Sequence, residues 1–311
     1  MNPERPVLYP WMATNRLDSD LFVLERNPFF GGIDAAGQQL PYVDRVTFRQ
    51  FDSLDVFNMW VLNGEIDLQG RHVDIGAYDL FREGQARGDY RVDLWQADDG
   101  DTLGPNHDCK DARLRAFFGQ REVRKALSLA IDREEINKQV YNGVGTPRQA
   151  SPTSLGPYYH EPAARAYASY APQEANRLLD AAGYAARDAA GWRVWDDGSG
   201  EPISFVMESW ARQGEARVRA AEMVIRYYEA IGIRAVLRLE DRAVYEARSE
   251  ANEIQAAWQG GGHYTQVFLK RDNYYTGEKT SRAWAGGWGL WKFNHDDPNG
   301  HPPPAGHWLW E

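Results

Sequence analysis

Val123, Ala126, Leu127, Ala130 and Ile131 recur at i, i+3, i+4, i+7 and i+8, a single apolar stripe that predicts a helix. Asp132 then offers an N-cap oxygen, and Glu135 three residues later completes a capping-box pattern for a second helix. Residues 113–143 therefore read as a helix pair. Upstream, Val46 and Phe48 alternate with Thr47 and Arg49 as a half-buried strand. Asp52 or Ser53 can cap a helix running to Asn63, with Gly64 in the C′ position. Residues 66–68 read as a short strand, 75–86 as a helix and 90–95 as another strand. This β-α-β-α-β order predicts a layer with parallel strands over residues 20–105.

Around Asp98, Asp99, Gly100 and Asp101 the composition turns acidic and glycine-rich, which marks a crossing between domains. Residues 143–157 form a long polar loop. Pro172 suits the first position of a helix striped by Ala175, Leu178, Leu179 and Ala182 and ended by Gly183. Ile203, Phe205 and Met207 alternate as a strand. Ala221, Val224, Ile225 and Tyr228 stripe the next helix, Gly232 closes it, and residues 233–239 return as a strand, a β-α-β unit. Asp241 can cap a helix to about Ser249, and residues 254–258 read as one more strand. Beyond Gly260, Gly261 and Gly262 the periodicity fades, so residues 263–311 are expected to be loop-rich, and no internal repeat is visible.

Composition narrows the function classes. A chain of 311 residues is long enough for two domains. It contains no run of 18 apolar residues, and its net charge of -10 argues against a nucleic-acid backbone as partner. One cysteine, Cys109, excludes an intrachain disulfide. The 12 tryptophans are rich for the length, and several, such as Trp284, Trp288 and Trp291, sit in glycine-rich surroundings, where rings tend to face clefts. The start of the chain has neither a basic segment nor an apolar run, so no secretory signal is read there.

The wording of the helix pair, VRKALSLAIDREEI over residues 123–136, resembles the signature segment of the family 5 extracellular solute-binding proteins, the dipeptide and oligopeptide receptors of ABC importers. LERNPFF at residues 24–30 resembles the family's LERNPYYW, and QLPYVDRV at 39–46 resembles the QLPYIDRV of its larger members. NGEID at 63–67 matches xGEID, and AIGI at 230–233 matches xIGI. YAPQEANRLLDAAGY at 170–184 resembles YDPEKANRLLDEAGY, with Ala171 where the family usually has Asp. These matches keep the family's order over residues 20–240. The resemblance implies an α/β, periplasmic-binding-protein-like (class II) fold of mixed sheets flanked by helices. Residues 1–105 would form part of a split domain I, and 106–311 a domain III-like lobe. Relatives are exported and longer, so the resemblance also implies an internal piece of an extracytoplasmic protein.

The expected function is capture of an oligosaccharide or oligopeptide in an interlobe cleft. An ABC permease is the membrane partner; the receptor is expected to be a monomer, with no nucleic acid, cofactor or catalysis. Peptide-binding members carry W-x-x-D-Y-x-D-P where this chain has Trp258, Gln259, Gly260, Gly261, Gly262, His263 and Tyr264, and no Asp follows before Asp272. A buried ammonium without a carboxylate is costly, so an N-terminal salt bridge to a peptide is disfavoured. Sugars present flat C–H faces between hydroxyl rims. Trp258, Tyr264, Trp288 and Trp291 are accordingly the candidate platforms, Asn106 and Gln259 the candidate hydrogen-bonding amides, and Gly261 part of the same loop.

The alternative is a carbohydrate-active hydrolase with two carboxylates in one cleft. His295, His301 and His307, six residues apart beside Asp296 and Asp297, do not align on a helix or strand and make a poor metal site. Arg121, Arg124 and Arg133, interleaved with Glu122, Glu134 and Glu135, read as a solvated helix face. No nucleophile elbow, phosphate loop, HExxH or CxxC occurs.

Overall fold

The computed structural model describes residues 5–95, 100–152, 154–260 and 284–305. The chain divides into two units, one of residues up to Leu68 with Gly84–Tyr90, the other of Gln69–Glu83 with everything from Arg91.

In the first unit β1 (Trp11–Ala13), β2 (Leu21–Arg26) and β3 (Arg45–Arg49) form an antiparallel sheet in the order β1-β2-β3. Phe22 on the central strand pairs with Phe48 across the ladder, ring centroids 6.0 Å apart. Helix α1 (Leu54–Leu62) starts as its sequence requires. Ser53 takes an extended backbone and its side chain accepts from the Val56 N–H at 3.3 Å. Gly64 follows with φ of 68°, the left-handed conformation that a helix stop of this kind uses.

The parallel layer expected over residues 20–105 is corrected. β2 and β3 are antiparallel and precede the helices, residues 66–68 and 90–95 form no strand, and the strand at Asp101–Pro105 belongs to the other unit's sheet. Leu68 is 90% exposed and Trp95 85% exposed, so their alternation meets no sheet edge among the described residues. The helix expected at 75–86 is present as a 3-10 turn (Ile75–Ala77) leading into α2 (Tyr78–Gly88).

The second unit is built on a four-stranded sheet in the order β4-β7-β5-β6, with β4 (Asp101–Pro105), β5 (Ser204–Ser209), β6 (Arg234–Leu239) and β7 (Ala256–Gly260). β5 runs parallel to both β6 and β7, and β4 runs antiparallel to β7. The expected β-α-β unit is β5, α8 (Ala216–Ala230) and β6. Gly232, with φ of 81°, turns the chain from helix to strand.

One sheet face carries the main core. Phe205, Met207, Ala256 and Trp258 from the strands join the apolar stripes of α3 (Ala112–Gly119), α4 (Arg121–Leu129), α7 (Pro172–Ala181) and α8, with Ile136 and Val140 from the helix after Asp132. The stripe of residues 123–131 is buried throughout, and each fully buried Leu or Val in it contributes about 1.5–3 kcal/mol. The segment expected as two helices is three, because the chain breaks at Gln120, whose extended backbone separates α3 from α4. Asp132 caps α5 (Arg133–Val140) by accepting from the Glu135 N–H at 2.9 Å. The reciprocal half of the capping box gives way to another bond, since the Glu135 side chain accepts from Gln139.

Helices α6 (Glu161–Arg165) and α9 (Arg242–Glu250) complete the middle of the chain; Asp241 caps α9, and a small cluster of Tyr245, Ile254 and Ala257 packs there. The tail also departs from expectation. Residues 286–293 are a helix, α10 (Gly286–Phe293), although three of its eight residues are glycine.

Candidate functional site

In an open α/β sheet the crevice beyond the carboxyl ends of parallel strands is the usual binding edge. Here that edge holds Ser209 at the end of β5, Glu240 after β6, and Gln259 and Gly260 at the end of β7, with Asp101 beside Gly260 at the start of β4. Asp101 binds two partners at once, the Tyr141 hydroxyl and the Arg217 guanidinium near the start of α8. Burial, then the neighbouring Asp101 charge, pushes the Tyr141 phenol far up, so Tyr141 stays a neutral donor. Asp74 accepts from the first N–H of α8, at Ala216, at 3.2 Å, where a carboxylate also meets the positive end of the helix dipole.

Glu208 lies in β5 and is fully buried. Its carboxylate meets Arg248 at 3.0 Å and Arg238 at 3.8 Å, and Arg248 also reaches Glu240 at 3.4 Å. Burial pushes the Glu208 carboxyl above the ordinary range, and the Arg248 charge opposes that rise. Two carboxylates so shared by two guanidiniums form a structural ion network.

The residues expected to bind ligand fall at opposite ends of this sheet. Gln259 ends β7, whereas Asn106 follows Pro105, which pairs with Ala256 at the start of β7. Four residue steps separate those ends, roughly 13 Å along a strand. Trp258 faces the main core, 4% exposed, and its indole N–H donates to Arg217 O at 2.9 Å. It is a core residue that anchors the start of α8, not an open platform. Gln259 is buried, donates to Ser209 Oγ at 3.4 Å, and leaves its Oε1 without a partner among the described residues. Gly261 and Tyr264 lie outside the described residues.

Asn106 is fully buried in a polar junction. It donates to Asn252 Oδ1 and Ile254 O, both at 2.9 Å, and accepts from the Asp108 N–H at 3.0 Å. Its amide is satisfied by the protein itself. Asn252, at φ 51°, donates in turn to Asp108 O at 3.1 Å. The buried Asp108 carboxylate meets His301 Nε2 at 2.8 Å and accepts from the Gly287 N–H. Desolvation raises the Asp108 carboxyl, and the His301 charge works against it. His301 Nδ1 faces Pro302 O at 3.2 Å.

Trp288 is buried beside Trp284, ring centroids 6.3 Å apart, while Trp291 is half-buried and stacks on His295 at 4.4 Å. Sequence reasoning missed Glu208, Asp108, Asn252 and the Asp101 pairings, since a lone acid or amide carries no local pattern. The solvated-face reading of the arginines holds for the exposed Arg121 and is corrected for Arg124 and Arg133. Arg124 donates to Phe118 O and Gly119 O, both at 2.7 Å, closing α3, and Arg133 donates to Ser128 O at 2.9 Å; burial lowers both guanidinium pKa values. No helix among the described residues is long and apolar enough to cross a membrane.

Comparison with known proteins places this architecture. The family model for bacterial extracellular solute-binding proteins, family 5 (middle), matches residues 10–280. A periplasmic alpha-galactoside-binding protein of Rhizobium meliloti (strain 1021) is 22% identical over 262 residues, covering 80% of this chain and 37% of the relative. Among solved structures, an oligopeptide-binding protein OppA superposes with a TM-score of 0.62 at 32% identity, covering 97% of this chain and 50% of that one. The periplasmic binding protein MelB from Agrobacterium fabrum C58, solved with stachyose, gives a TM-score of 0.67 at 19% identity over 82% of this chain and 40% of that one. AppA from Bacillus subtilis, solved with a nonapeptide, gives 0.67 at 20% identity over 93% of this chain and 53% of that one. The chain thus spans about half or less of the length of these relatives. With the family match covering most of its residues and the fold agreeing, the chain belongs to the family 5 bacterial extracellular solute-binding proteins.

Proposed function

We propose that this protein is the solute-receptor component of an ABC importer, working outside the cytoplasm and releasing its ligand unaltered to a membrane permease. The observation that carries the reading is the family match over residues 10–280, joined to a β-α-β lobe whose strand ends present buried polar groups. In this reading residues up to Leu68 contribute to a split first lobe, and β4 (Asp101–Pro105), which pairs with β7, joins residues 106–311 in the second, in a receptor that grips its ligand by closing. The receptor acts as a monomer.

The ligand is an oligosaccharide or an oligopeptide, and the sequence favours the sugar. No Asp lies between Trp258 and Asp272 to hold a peptide ammonium, and the orphan Oε1 of Gln259 suits a hydroxyl donor. A relative is named for alpha-galactosides and a neighbouring structure holds stachyose, which supports the same choice. Calorimetric titration of the protein at its full native length with stachyose and with a nonapeptide tests this. Saturable heat with stachyose and none with the peptide is expected; the reverse pattern overturns the sugar assignment.

A further inference from the structure

Between α3, α4 and the start of α10 lies a cavity of about 540 Å³, within the range of roughly 300–1,000 Å³ that holds small organic ligands. Trp284 and Trp288 wall one part of it, Arg115 and Arg124 another. Its lining includes His107 and Asp108, which follow Asn106, at the opposite end of the sheet from the strand ends assigned to the transported solute.

Two arginines line this cavity, and neither Arg115 nor Arg124 makes an ion pair within 4.0 Å among the described residues. Each is instead held by backbone carbonyls, Arg115 by Cys109 O at 2.7 Å and Arg124 by Phe118 O and Gly119 O at 2.7 Å. Those bonds engage one nitrogen of each guanidinium and leave the others for a ligand. The acid in the lining, Asp108, is occupied by His301 and by the Gly287 N–H. Two positioned guanidiniums beside indole walls match a planar anionic head on a flat apolar body.

We infer that this cavity is a second binding site, for an aromatic or similarly flat organic carboxylate, separate from the solute cleft. The guanidiniums take the carboxylate and the two tryptophans take the ring. A ligand there bridges α3, α4 and the segment of α10, so its binding steadies the docking of that segment. Inorganic phosphate satisfies the guanidiniums but leaves the indole walls unused.

Calorimetric titration of the full chain with benzoate, benzamide and inorganic phosphate tests the site. Benzoate should bind with one-to-one stoichiometry, at least about tenfold more tightly than neutral benzamide, and more tightly than phosphate. Arg115→Gln, on an exposed stretch of α3, should weaken benzoate by about tenfold or more and leave stachyose binding unchanged. Arg124→Lys keeps the charge but loses the fork, and should weaken benzoate less than Arg115→Gln does. Equal affinity for benzoate and benzamide, phosphate binding as tight as benzoate, no heat with benzoate at millimolar concentration, or an unchanged constant in Arg115→Gln would each overturn the assignment.

Discussion

Glu208 shows how a residue without any sequence pattern governs an energetic feature of the fold. It sits next to the end of β5, wholly buried, and its carboxylate meets Arg248 and Arg238. Because burial raises its folded pKa above the unfolded value, its contribution to stability is full below the ordinary carboxyl range and is lost as pH rises through the raised value. Glu208→Gln removes that titration. The unfolding free energy of the native protein minus that of the variant should therefore fall as pH climbs above about 4, by about 1.4 kcal/mol for each pH unit separating the two pKa values. Denaturant titrations at a series of pH values read this difference, and a difference that rises or stays flat contradicts it. Asn106 makes the complementary point. As an isolated Asn it is equally compatible with a ligand and with a buried junction, and its three internal bonds decide for the junction.

Elements with both a stripe and a cap were the legible ones. Residues 123–131, with Asp132 after them, specify helix, stop and restart locally, and the structure follows. Residues 66–68 and 90–95 carry strand-like alternation, but a strand exists only where another supplies its ladder bonds, which is not local information. Helix α10 was illegible for the opposite reason, since Gly286, Gly287 and Gly289 depress its intrinsic propensity. Tertiary approach explains two of these glycines. A Cβ on Gly286 would overlap Asn252 Oδ1, and one on Gly287 would overlap Asp108 Oδ2 and come 3.0 Å from the His301 ring. Gly287→Ala, although it favours helix, should therefore lower stability by about 1–3 kcal/mol through overpacking. A thermal or denaturant unfolding midpoint at or above the native value would show that α10 does not approach the junction this closely.

At the scale of the whole molecule the sequence carried the family more firmly than the site. Its motifs fix caps, helix stops and the β-α-β crossover, all set by local chemistry. A binding edge is instead assembled from strand ends far apart in sequence, so Trp258 and Asn106 could be named but not placed. The aromatic residues expected as platforms include one that fills the core and one, Trp288, that packs edge-on against Trp284.

A solute receptor holds its ligand and hands it on chemically intact, and mass spectrometry of ligand recovered from the loaded, full-length protein tests that most directly. After prolonged incubation with stachyose the released sugar should keep its full mass, at one molecule per protein. Recovery of shorter sugars would mean that the groove cleaves what it binds, and the receptor assignment would fail.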